Sequence, residues 1–161
     1  MFRATLAAAI FALATLPALA DPGKVKDVNV EADLSAIKNP EAAKYWTDVS
    51  NDLENAIVGR LTDRLDPEKG SVEIRVKLDT VRLANAWTAP LADSQLAGRV
   101  VMRDDTDATE GSVYDLSVTM EQAKVFLPQG MDIATLAVDS REYYDAVVAA
   151  FADAVVRDYE K

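Results

Sequence analysis

The sequence predicts an α+β fold: one single-layer, mainly antiparallel four-stranded sheet with two amphipathic helices packed on one face. Three observations predict it. Residues 72–78 alternate apolar and charged side chains, which is typical of a half-buried strand. Two other segments repeat apolar residues every three or four positions, as helices with one buried face do. The elements follow in the order β-α-β-β-β-α, which suits a sheet with one polar face and one helix-covered face.

Residues 1–20 are typical of a cleaved signal peptide. Arg3 is followed by an Ala- and Leu-rich run, and Ala18 and Ala20 occupy the minus-three and minus-one positions of a cleavage site. A retained membrane anchor is the alternative, but the apolar run is shorter than a bilayer span requires. We therefore expect cleavage after Ala20, a single domain over residues 21–161, and a periplasmic location without stable membrane insertion.

Composition narrows the classes of partner. The 161 residues carry a formal net charge of −10, so the chain as a whole repels nucleic acid. The absence of cysteine rules out disulfides and a lipidated N-terminal cysteine. The mature protein is thus expected to be held together by its core alone, and its oligomeric state stays open.

The first strand and the first helix precede the central strand. Val28 and Val30 alternate with acidic and polar residues, which predicts a strand at a sheet edge. Asn39 and Pro40 are a favourable N-cap and first helical residue, and we expect this helix to run to about Leu65. Its apolar stripe consists of Trp46, Val49, Leu53, Ile57, Leu61 and Leu65.

The central strand changes phase partway along. Its apolar positions up to Leu78 are even-numbered, whereas Val81 and Leu83 are odd-numbered. A β-bulge near Asp79 or Thr80 would shift the phase in this way.

Two further strands and a helix follow a loop built around Pro90. Apolar alternation predicts a third strand from about Leu96 and a fourth that ends near Met120. Asp139 is the expected N-cap of the last helix, with Glu142 at the capping-box position. The stripe of that helix consists of Tyr144, Val147, Val148, Phe151, Ala154 and Val155.

This element order resembles that of small periplasmic proteins of outer-membrane assembly. The lipopolysaccharide-assembly lipoprotein LptE and accessory proteins related to CsgG are the examples. The resemblance is one of architecture across residues 21–161 and includes no shared motif, and this chain lacks the lipidated cysteine of those families. It implies an envelope role but transfers no functional residue.

The residue types present exclude most catalytic chemistry. Without His or Cys, the Ser-His-Asp and Cys-His arrangements and nearly all zinc and haem sites are impossible. The glycines are isolated rather than clustered in a phosphate-binding loop. We therefore expect no catalytic residue, no cofactor and no enzymatic activity.

The acidic hairpin tip is the strongest metal candidate. Asp104, Asp105 and Asp107 have spacing like part of a calcium loop, but Glu110 stands where that loop needs Gly. Leu116 stands where the closing Glu should be. An exposed turn explains the same residues, so we expect no metal site, and weak calcium binding remains an open alternative.

A basic cluster is expected on the polar face of the sheet. If the second, third and fourth strands form a meander, Arg75, Lys77, Arg99 and Arg103 point the same way and form a candidate site for an anionic or acidic partner. The alternative is that these cations only pair across strands. The acids available for such pairing are Glu73, Asp115 and Glu121.

An apolar segment between the fourth strand and the last helix is the other candidate site. It contains Val125, Phe126, Leu127, Met131, Ile133 and Leu136. These side chains either cover an edge of the core or form a patch for a partner or a lipid chain, with Phe126 and Met131 as the candidate contacts.

We predict a non-catalytic periplasmic protein that binds or assists a cell-envelope component, with another envelope protein or a lipid as its partner. The alternative is a carrier of a small ligand or lipid, with a cavity between the helices and the sheet.

Overall fold

The computed structural model describes residues 23–33, 46–82, 95–106, 111–137 and 140–161. The predicted signal peptide, the start of the first helix at Asn39 and the loop around Pro90 lie outside these residues. The strands are β1 (Val25–Ala32), β2 (Val72–Arg82), β3 (Gln95–Asp104) and β4 (Gly111–Thr119). The α-helices are α1 (Val49–Arg60), the short α2 (Met120–Ala123) and α3 (Arg141–Tyr159). Two 3₁₀ turns, Lys124–Phe126 and Ile133–Thr135, lie between α2 and α3.

The four strands form one sheet in the order β1-β2-β3-β4. The β2–β3 and β3–β4 pairs are antiparallel, whereas β1 and β2 are parallel. The parallel pair arises because the chain crosses over through α1 between β1 and β2, and such a crossover returns the chain in the same direction. The α+β prediction is confirmed, and the sheet is mixed.

The phase change of the central strand is a β-bulge. The β2–β3 register shifts between Leu78 and Thr80, as predicted. Leu78 pairs with Gly98, and a Cβ at Gly98 would lie 2.5 Å from the carbonyl oxygen of Lys77. Glycine is therefore required where β3 passes closest to the bulge.

The helix α1 buries the predicted stripe against the sheet. Leu53 and Ile57 are fully buried, and Trp46 is buried just before the helix begins. The prediction that the helix runs to Leu65 is wrong, because it ends at Arg60. Leu65 instead forms a parallel β-bridge with Val25.

The helix α3 begins one residue later than predicted. Ser140 is its N-cap, and its Oγ accepts a hydrogen bond from the Tyr143 backbone N–H at 3.2 Å. The predicted cap, Asp139, lies outside the described residues. More of α3 is buried than one stripe, including Ala146 and Val156, because α1, α2 and the sheet all contact it.

A short helix follows β4 directly. Met120 does not continue β4 but begins α2, where a capping box joins Thr119 and Gln122. The Met120 side chain is fully buried, as predicted from its inward position. The short helix therefore closes the core at the end of the sheet.

Candidate functional site

The four predicted basic residues lie together on the exposed face of the sheet, opposite the helices. Arg75 and Lys77 are on β2, and Arg99 and Arg103 are on β3; all four are exposed. The intervening residues Val76 and Val100 are buried in the core on the other face of the sheet. This surface, called the outward face below, therefore follows directly from strand alternation and the antiparallel β2–β3 pairing.

Two of the four cations already have partners. Arg75 Nη2 lies 2.7 Å from Glu73 Oε2 on the same strand, and Arg99 Nε lies 2.9 Å from Asp115 Oδ1 on β4. The hydrogen bond and the positive charge of Arg99 hold the pKa of Asp115 below its usual value. Cross-strand pairing thus accounts for Arg99, and pairing along one strand accounts for Arg75. The third proposed acid, Glu121, instead pairs with Lys124.

The other two cations have no ion pair within the part of the chain that the structure describes. The side chains of Lys77 and Arg103 are exposed and make no hydrogen bond to any described residue. In the β2–β3 register Lys77 lies directly opposite Arg99. Like charges directly opposite on neighbouring strands destabilise a sheet, so folding alone does not favour this arrangement.

The charge of the outward face changes from acidic on β1 to basic on β3. Its β1 side carries the exposed acids Asp27 and Glu31, whereas β3 carries two arginines. Three rows of paired residues cross the face. From β1 to β3 they are Asp27–Glu73–Arg103, Asn29–Arg75–Val101 and Glu31–Lys77–Arg99.

An apolar pair lies beside the basic strands. Val101 on β3 pairs with Val113 on β4, and Val113 is 66% exposed. Strand alternation in the sequence predicts the acidic side chains of β1, but it does not predict that they lie beside the basic strands or that the two valines form a pair. The alternation of each strand was visible, but the register that places the strands side by side was not.

The apolar segment divides between core cover and surface. Phe126, Leu127, Ile133 and Leu136 are partly buried and pack on the core. In contrast, Val125 is 74% exposed and Met131 is 43% exposed. Phe126 and Val125 line an open groove of about 360 Å³ between β4 and α3. Of the two candidate contacts, Phe126 packs on the core and Met131 is exposed on the surface.

The described part of the acidic hairpin tip is occupied by internal hydrogen bonds. Asp104 Oδ1 accepts hydrogen bonds from the backbone N–H and the hydroxyl of Thr106, at 2.7 and 2.6 Å. Asp105 pairs with Lys26 at 2.9 Å. Within the described ranges, which omit residues 107–110, no three acidic side chains are grouped to hold a metal ion.

The space between helices and sheet is filled by side chains in the described part of the chain. Leu53, Ile57, Leu96, Phe151 and Val155 are fully buried there. These side chains are part of the core between the helices and the sheet.

Comparison with known proteins gives distant structural similarity only. No protein-family model and no curated relative match the chain. It is similar to a dodecamer of a single-substitution variant of PelC from Paraburkholderia phytofirmans, with 13% sequence identity and a TM-score of 0.46. The match covers 89% of this chain and 92% of that chain. It is also similar to a candidate lipoprotein from Caulobacter crescentus CB15, with 15% identity, coverage of 83% and 87%, and a TM-score of 0.38. A second PelC dodecamer structure from P. phytofirmans gives 10% identity, coverage of 84% and 92%, and a TM-score of 0.35.

Similarities at this level carry no inference about function. The resemblance to LptE and to CsgG-related proteins is not confirmed by these comparisons.

Within the described residues, none of the helices is both long enough and apolar enough to cross a membrane.

Proposed function

We propose that this chain is a non-catalytic protein of the cell envelope that binds an acidic surface of another envelope protein through its outward face. The observation that carries the proposal is the placement of Lys77 opposite Arg99, with Arg103 also lacking an ion pair within the described residues. The two cations repel each other across the strands, and the carboxylate of an approaching partner would offset that repulsion.

The composition of the face also supports a protein partner. Arginine is enriched in the centres of protein interfaces, and an apolar patch surrounded by polar side chains is the common arrangement there. The Val101–Val113 pair supplies such a patch beside Arg99 and Arg103.

The envelope location rests on the sequence of residues 1–20. Arg3, the apolar run and the Ala18–Ala20 site together support export and cleavage. N-terminal sequencing of the protein recovered from the periplasmic fraction should begin at Asp21. An intact Met1 in the membrane fraction would contradict both cleavage and location.

Partner capture with matched charge variants tests the proposal. The double variant Lys77→Glu/Arg103→Glu should lose a partner that the wild-type protein retains, with the same circular dichroism spectrum. The control Lys69→Glu/Lys124→Glu makes the same change in net charge at exposed positions off the outward face. Capture that is equal for both double variants would show that the outward face does not bind the partner.

A further inference from the structure

We infer that a second copy of this chain docks on the same outward face, so that two copies pair face to face about a two-fold axis parallel to β2. This inference rests on the proposed binding role of that face and names one occupant for it. In the pair, β1 of each copy lies over β3 of the other. The acidic partner and the second copy then compete for one surface.

The sheet register sets which side chains would meet. The two-fold axis runs parallel to β2, midway between two facing sheets. Rotation about it leaves the direction of every strand unchanged and keeps each residue at the same position along the strand direction, which is called its level below. It exchanges the two sides of β2, so β1 and β3 change places. Aligned sheets pack with their strands within about 30° of each other, so residues on one level stay close near the axis.

Charge complementarity follows from that exchange. Asp27 is level with Arg103 across β2, and Glu31 is level with Arg99. In the pair, Asp27 of each copy therefore lies over Arg103 of the other, and Glu31 lies over Arg99. Asp27, Glu31 and Arg103 have no ion pair inside the described chain, so the Asp27–Arg103 contacts would join charges that are otherwise unpaired, whereas Glu31 would share Arg99 with Asp115.

The same geometry places like charges opposite each other on the axis, which weakens the pair. Lys77 of each copy faces Lys77 of the other, and Glu73 and Arg75, which are on the same face of β2, likewise face their own copies. Only β1, β2 and β3 of the two copies overlap, and three strands about nine residues long present roughly 430 Å² per copy, which is smaller than a standard protein interface. The pair is therefore weak and reversible, which allows an acidic partner to displace the second copy.

The position of Lys77 separates self-association from partner binding. Neutralising it with Lys77→Gln removes repulsion on the axis and should tighten the pair. The same substitution removes a cation that an acidic partner would use, and should weaken partner capture. The two effects have opposite signs, so failure of one claim is distinguishable from failure of the other.

Sedimentation equilibrium of the mature chain tests the pairing directly. Asp27→Arg and Arg103→Asp should each raise the dimer dissociation constant about tenfold or more, because each places two like-charged contacts in the pair. An equimolar mixture of these two variants should form dimers again. In the mixed pair, the introduced arginine of one copy lies over the introduced aspartate of the other, and the native Asp27 lies over the native Arg103. These two positions lie on opposite sides of β2 within one chain, so this recovery requires two copies.

A wild-type protein that stays monomeric at the highest concentration overturns the inference, as does a mixture that stays monomeric. Either result leaves the partner-capture experiment unaffected. Capture that fails while the dimer forms would instead overturn the proposed function alone.

Discussion

The hydroxyl of Tyr144 on α3 donates a hydrogen bond to the Asp52 carboxylate on α1, with 2.6 Å between the oxygens. The Tyr144 ring lies edge-on to Trp46, with 5.0 Å between ring centroids, and the Arg141 guanidinium lies 5.3 Å from the ring centroid. These contacts fix the two helices relative to each other, and the helices in turn hold the sheet whose outward face is the proposed site.

Removing the Tyr144 hydroxyl should destabilise the protein. Tyr144→Phe leaves the partly buried Asp52 carboxylate without this donor, and we expect a loss of about 1–3 kcal/mol in the free energy of unfolding measured in urea. Tyr114→Phe is the matched control, because the Tyr114 hydroxyl is buried without a well-formed hydrogen bond to any described residue, although the Asp158 charge lies nearby. That control should change stability little or raise it. Equal losses in the two variants would contradict this account of the helix contact.

Stability should also fall at alkaline pH. Burial, and then the hydrogen bond and charge of Asp52, raise the pKa of Tyr144 above its ordinary value. The folded protein therefore favours the neutral form of Tyr144. Its contribution to the free energy of unfolding is complete below about pH 10 and declines above that pH, because Tyr144 ionises at lower pH in the unfolded chain than in the folded protein. Tyr144→Phe should show a shallower decline than the wild type in urea titrations from neutral pH to about pH 11. Parallel declines would mean that Tyr144 is not the group responsible.

The close contact at Gly98 should make that position intolerant of a side chain. Gly98→Ala places a Cβ 2.5 Å from the Lys77 carbonyl oxygen and 2.9 Å from the Leu78 Cα, and both are backbone atoms. We expect a loss of roughly 1–3 kcal/mol in unfolding free energy. Gly59→Ala in α1 has nothing within 4 Å of the new Cβ and should stabilise the protein by about 0.5–1 kcal/mol. A neutral Gly98→Ala would show that the strands separate at the bulge at little cost.

Much of the fold was predictable because it depends on periodicity. The stripe of α1, the alternation of β2 and the bulge near Thr80 each leave a local pattern of apolar positions, and the structure confirms all three. The ends of the helices were less predictable. Leu65 continues the helical spacing, but its backbone pairs with Val25, which is forty positions away in the sequence and leaves no local signal.

The site was only half predictable for the same reason. Strand alternation, together with the assumption that the strands form a meander, assigned four cations to one face: Arg75, Lys77, Arg99 and Arg103. The register between strands determines which of these cations has an acidic partner. It places Arg99 opposite Asp115 on one side and opposite Lys77 on the other. Sequence spacing within a strand contains no information about that register.

The association rate of the captured partner at two ionic strengths tests the central claim most directly. If the outward face steers an acidic surface, raising salt should slow association of the wild-type protein, because screening weakens attraction between exposed charges. The double variant Lys77→Gln/Arg103→Gln should associate more slowly at low salt and respond less to added salt, while Lys69→Gln/Lys124→Gln should behave like the wild type. A Lys77→Gln/Arg103→Gln protein with the wild-type rate and the wild-type salt dependence would contradict the claim that this face binds the partner.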